Sequence, residues 1–169
     1  MSPQIVAPQR APETKPQPAQ VNEAVVCLPA GTIVLTQDGE IPVEYLEPGD
    51  RIITRDAGLV TLLSVERETC LVHAVKIAAG SLGDMRPEDD LILPAAQPVL
   101  IRDWRAQAMF GTPQAVVAAG ALVDDAYVCD MGKRRLGVCL LHFATPHVIY
   151  AGGLELGCAE RANALTQAA

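Results

Sequence analysis

Side chains able to carry covalent or acid–base chemistry are few in this sequence: five cysteines (Cys27, Cys70, Cys129, Cys139, Cys158) and three histidines (His73, His142, His147). The cysteines are odd in number and widely spaced, with no Cys-x-x-Cys pair. Neither a disulfide framework nor a zinc site is indicated, and nothing calls for a cofactor. Asp84, Glu88, Asp89 and Asp90 crowd one segment where a cation could sit, although a solvated acidic loop is the simpler reading. Most of the cysteines read as small buried apolar residues. Cys27 stands apart because it lies where one kind of sequence gives way to another.

Upstream of it, residues 1 to 23 carry Pro3, Pro8, Pro12, Pro16 and Pro18 among Gln, Ala and charged residues. Such a segment buries too little apolar surface to offset its ordering entropy and is expected to be a disordered leader. From Ala24 short β-branched runs alternate with turn residues. "TIVLT" is followed by Asp38-Gly39, "IPVEYL" by Pro48-Gly49-Asp50, and "RIIT" by Asp56-Ala57-Gly58. Turn signals every 8 to 12 residues or so predict an all-β domain. Pro42 marks "IPVEYL" as an edge or a turn. "DLILPAAQPVLI" predicts two short buried strands joined through Pro94 to Pro98. The Ala-rich "QAVVAAGALVDD" favours one short helix, "AYVCDM" and "LGVCLLHF" a hairpin around Gly132 to Arg135, and "HVIYAGGLEL" a last strand pair. Residues 24–158 form the expected domain. The tail 159–169, with the helix-favouring stretch beginning at Glu155, could end the chain as a frayed helix.

At 169 residues the chain suits one domain with a real core. Aromatics make up only 4% of it, so that core must come from Val, Leu, Ile and Ala. A net charge of −7, with no basic cluster longer than Lys133-Arg134-Arg135, argues against a nucleic-acid partner. No apolar run approaches the roughly 20 residues that span a bilayer, and the N-terminus lacks signal-peptide order. A cytoplasmic protein without a membrane partner is the expectation, with leaderless secretion as the other route.

The stretch "CLPAGTIVLTQDGEIPVEYLEPGDRIITRDAG", beginning at Cys27, resembles the N-terminal block of the Hint domain. That is the hedgehog/intein self-processing domain, here similar to its free-standing bacterial form. A second stretch, "VCLLHFATPHVIYAGGLELGC" (residues 138–158), resembles the C-terminal intein block, with His147, Ala151 and Gly153 on matching positions. The resemblance implies a compact, horseshoe-like all-β fold with pseudo-twofold symmetry and adjacent ends. It also implies a reaction: Cys27 attacks the Val26 carbonyl, turning the Val26–Cys27 amide into a thioester, with the chain's own N-terminal segment as intramolecular substrate.

Such an N-to-S acyl shift needs a thiolate, whereas an ordinary cysteine has a pKa near 8.5. It needs donors for the tetrahedral oxyanion, each worth about 3 to 4 kcal/mol. It also needs an acid for the departing nitrogen, usually a histidine. Family members supply the last two from a Ser/Thr-x-x-His block. The matching residues here are Pro94 and Gln97. Proline has neither hydroxyl nor N–H, and glutamine holds no transferable proton near neutrality. At the far end Gly157 and Cys158 stand where inteins finish with His-Asn, and Leu140 replaces an aspartate, so full splicing is not expected.

Two readings follow. In one, the domain cleaves at Val26–Cys27 through Cys27 and His147, with His142 a remote substitute acid and Cys158 a relocated nucleophile. In the other it keeps the fold without the chemistry, as a binding or structural module for an unknown protein partner. Cys27 is then a core residue, His147 and His73 are structural, and Cys158 is merely buried.

Overall fold

The structure, a computed structural model, describes residues 24–160. The expected leader and residues 161–169 of the tail lie outside the described residues. The elements in chain order are β1 (Ala24–Pro29), β2 (Ile33–Thr36), β3 (Gly39–Pro42), β4 (Arg51–Thr54), β5 (Gly58–Thr61), β6 (Ser64–Ile77), β7 (Leu91–Pro94), β8 (Pro98–Ile101), α1 (Trp104–Phe110), β9 (Ala115–Ala118), β10 (Val128–Phe143), β11 (Val148–Ala151), β12 (Leu154–Gly157) and β13 (Ala159–Glu160). They form a five-stranded sheet, β13-β1-β10-β6-β7, and an eight-stranded one, β3-β2-β4-β11-β12-β8-β9 with β5 beside β4. This is the all-β fold expected.

The two long antiparallel strands, β6 and β10, set the architecture. They stay paired from Val128↔Ile77 to His142↔Ser64. β1 pairs with one end of this ribbon, at β10 residues 138–143, and β7 with the other, at β6 residues 74–77. The ribbon must curl, because a side chain just past β7 reaches the backbone of β1, as described below. The ends of the domain are adjacent, as anticipated: Ala24 lies opposite Glu160, and Val25 opposite Ala159. The main core draws on β1, β2, β6, β7, β8, β10, β11 and β12, with Val26, Leu28, Leu93, Leu141, Phe143 and Leu156 among its buried residues.

The turn chemistry behaves as read. Thr36↔Gly39 and Thr54↔Gly58 close the first two hairpins, and Gly39 (φ 106°) and Gly58 (φ 68°) take the left-handed conformation that glycine adopts without strain. β3 is an edge strand that runs straight into a 3-10 turn over Val43–Tyr45. Three expectations are corrected. The Ala-rich stretch is a strand, β9, followed by a 3-10 turn over Ala119–Leu122, because pairing with β8 outweighs alanine's helix preference. The α-helix lies earlier, at α1, capped by the Asp103 side chain and ended by Gly111 (φ 68°). Gly132 makes no hairpin. β10 continues through it with a register shift between Asp130 and Gly132, and β6 pairs on both sides of that irregularity. Finally, the segment from Glu155 to Glu160 is β12 and β13, not the start of a helix.

Among the described residues no helix is long and apolar enough to cross a membrane.

Candidate functional site

The turn between β7 and β8 is built to aim one side chain inward. The Gln97 amide donates to the Pro94 carbonyl at 3.0 Å, closing Pro94-Ala95-Ala96-Gln97 as a tight turn. Ala95 N–H donates to the His73 carbonyl, and the Ala95 and Gln97 carbonyls accept from Gly120 and Ala119. With its backbone fixed on every side, Gln97 is left 2% exposed.

Its carboxamide spans the seam between the two sheets. Gln97 Oε1 accepts from the Cys27 backbone N–H at 3.0 Å, while Nε2 donates to the Gly157 carbonyl at 2.8 Å and the Pro98 carbonyl at 2.9 Å. β13 lies beside β1 only as far as Val25, so beyond it the Gln97 carboxamide takes the place of a strand partner. Gln97, Cys27 and Gly157, taken from three distant parts of the sequence, therefore meet at the Val26–Cys27 bond. Pro94 sits at the end of β7 opposite Ala74, and its carbonyl helps to position Gln97.

The C-terminal residues follow directly. Cys158 donates its N–H to the His147 carbonyl at 3.2 Å, and its Sγ accepts from the His147 N–H at 3.4 Å. The His147 ring is held by Asp56 Oδ2 at 2.8 Å on Nδ1 and by Thr145 Oγ1 at 2.9 Å on Nε2, with Phe143 edge-on at 6.2 Å between centroids. Asp56 Oδ1 also accepts from the Val148 N–H. A sequence profile of the Hint domain matches residues 26–159, so the match begins one residue before Cys27 and ends one residue beyond Cys158. The chain belongs to the Hint domain family.

Solved structures agree on the fold. The crystal structure of the gp41-1 intein superposes with a TM-score of 0.52 at 14% identity, covering 77% of this chain and 96% of that one. The solution structure of a bacterial intein-like domain from Clostridium thermocellum gives 0.50 at 13% identity, covering 79% and 99%. No curated protein matches.

In this Hint domain the thiol and the amide of Cys27 face different surroundings. Strand alternation puts the side chain with Val25, Val138 and Leu140, in a small cluster on the opposite face from Val26 and Leu28 of the main core. The pairings Val25↔His142 and Leu140↔Glu66 place His142 and Glu66 on that same face, where their side chains lie 3.6 Å apart. Burial, then Cys70, Glu68 and Cys139, all push the Cys27 thiol up, to about 12. Burial likewise raises Cys158, to about 11, with the His147 N–H pulling down and Asp56 pushing up. Neither sulfur is a thiolate at neutral pH.

This has a stability consequence. Unfolded, a thiol ionises at its ordinary value of about 8.5 to 9, whereas folded Cys27 keeps its proton to about 12. Between these values the folded state binds more protons than the unfolded one, so its advantage is complete below pH 9 and is lost as pH rises. The loss is about 1.4 kcal/mol per pH unit for one such thiol. Urea melts of wild type and Cys27→Ala between pH 8 and 11 should show the wild type declining more steeply.

Three parts of this Hint domain are not evident in the sequence. Asp56 reads only as a turn residue and Thr145 carries no role in the sequence, yet both contact the His147 ring. Glu155 is 2% exposed inside β12 and meets Arg55 Nη1 at 2.7 Å, Arg102 Nε at 2.9 Å and, more loosely, Arg86 Nη1 at 3.9 Å. A charged residue between Leu154 and Leu156 in a strand as apolar as "GGLELG" was the available signal, since a buried carboxylate demands cationic partners. The acidic segment holds together locally: Asp90 accepts from the Ala79 N–H and pairs with Lys76. Among the described residues no group of three or more His, Cys, Asp and Glu side chains is arranged to hold a metal.

Proposed function

We propose that this Hint domain keeps its Val26–Cys27 bond intact and serves as a binding or structural module, the segment before Cys27 staying covalently attached. The observation carrying this is the Gln97 contact. An acyl shift requires the Cys27 nitrogen to gain a proton as the Val26 carbonyl leaves it. Gln97 instead presents an oxygen to that N–H at 3.0 Å, a bond that stabilises the planar amide and supplies no proton. The thiol that would attack is protonated and buried.

A second reading, self-processing at Val26–Cys27, draws support from the same contact: the residue at the family's histidine position does reach the scissile nitrogen. Intact-mass spectrometry of wild type and Cys27→Ala, incubated with dithiothreitol or hydroxylamine, separates the two. Unchanged mass in both proteins supports the inert module. Thiol-dependent loss of residues 1–26 from the wild type alone would establish the acyl shift and overturn the proposal.

A further inference from the structure

We propose that Asp56, His147 and Thr145 form a second reactive centre, in which the Thr145 hydroxyl accepts acyl groups from small activated esters. This centre makes no use of Cys27 and stands apart from the reading above. Its geometry is that of a nucleophile, a base and an orienting carboxylate in series. Asp56, which accepts from the Val148 N–H, can only accept from the ring as well. His147 Nδ1 must therefore carry a proton. In the neutral ring Nε2 is then the acceptor, and the Thr145 hydroxyl 2.9 Å away is the donor. Burial works to raise the Asp56 carboxyl, but the Val148 N–H and His147 together outweigh it, so the carboxylate form is the one held. Phe143 packs against the ring, and Cys158 fixes the His147 backbone through its N–H and its Sγ. Thr145 and Asp56 are exposed, so a small ester can reach the hydroxyl.

The Thr145 hydroxyl proton passes to His147 Nε2 while Oγ bonds to the ester carbonyl carbon. The carbon–oxygen bond to the leaving alcohol or phenol then breaks, the imidazolium proton goes with it, and an acyl-threonine ester remains. Water, deprotonated by the same imidazole, cleaves that ester to a carboxylic acid and regenerates the hydroxyl. Thr145 and His147 touch the reacting atoms, whereas Asp56 is a positioning residue.

The test uses the full chain in a Cys27→Ala background with p-nitrophenyl acetate as probe. Nitrophenol release and an acetyl group mapped to Thr145 are expected, with release slowed about 100-fold or more in His147→Gln and Thr145→Val. Thr145→Ser should retain the reaction. Asp56→Asn is the sharpest variant. Its amide oxygen can still accept from Val148, but its NH2 faces Nδ1 and moves the ring proton to Nε2, where it blocks transfer from Thr145. That substitution should lower kcat with KM and the melting temperature unchanged. Acetylation confined to Cys158, recognised as a thioester labile to neutral hydroxylamine, or confined to lysines, would overturn the proposal. So would wild-type release rates in Thr145→Val or Asp56→Asn.

Discussion

Pro94→Thr combined with Gln97→His should give a chain that releases residues 1–26 when a thiol is added. A neutral imidazole at position 97 can still accept from the Cys27 N–H and donate to the Gly157 carbonyl, so the seam between the sheets keeps its two principal bonds. Protonated, the same ring supplies the proton that the leaving nitrogen requires, and general acid catalysis of this kind is worth roughly 100- to 10,000-fold. Threonine at 94 returns a hydroxyl to the β7 end, leaves the Pro94 carbonyl bond to the residue 97 amide in place, and suits a strand. Intact mass after overnight incubation with dithiothreitol reads the outcome, and adding Cys27→Ala should abolish the release. A double variant that stays whole while remaining folded would mean that the missing chemistry lies elsewhere than at these two positions, with the buried thiol as the remaining barrier.

The largest effect on stability is expected at Glu155. Removing its carboxylate with Glu155→Ala leaves Arg55, hydrogen-bonded to it, and Arg102 and Arg86, ion-paired with it, without that counter-charge. The charge removed is the buried one, and the arginines left behind are about a third exposed, so water screens part of the loss and the cost is about 2 kcal/mol. For a domain of this size that lowers the melting temperature by about 4 to 8 °C, measurable by calorimetry. Arg86→Ala, which gives up only a 3.9 Å contact, should cost less than about 1 kcal/mol. The contrast matters for the site because Glu155 lies two residues before Gly157, whose carbonyl Gln97 holds.

The parts of the fold legible in the sequence were those decided locally. Gly39 and Gly58 close hairpins because their neighbours cannot take positive φ cheaply, and that requirement is visible without coordinates. α1 was not legible: its seven residues leave Trp104, Met109 and Phe110 largely exposed, so no apolar stripe marks it. β10 read as a hairpin because a glycine and three basic residues interrupt it, whereas a bulge needs little more than Gly132 at φ 69° and the Asp130 side chain accepting from its N–H. For the site, the resemblance located Cys27, Gln97 and His147. It could not reveal that Asp56, 91 residues from His147, orients its ring, nor that three arginines scattered along the chain gather on Glu155. Pairings of that kind are made by the curl of the sheets, which no local pattern encodes.

The central claim is that the bond before Cys27 rests as a planar amide held by Gln97. It is tested most directly by carbon NMR of full-length wild-type protein labelled at the Val26 carbonyl. A single resonance in the amide region, with the Cys27 amide hydrogen protected from exchange and that protection reduced in Gln97→Ala, is the predicted result. A thioester carbonyl resonance in the untreated wild type would contradict the account.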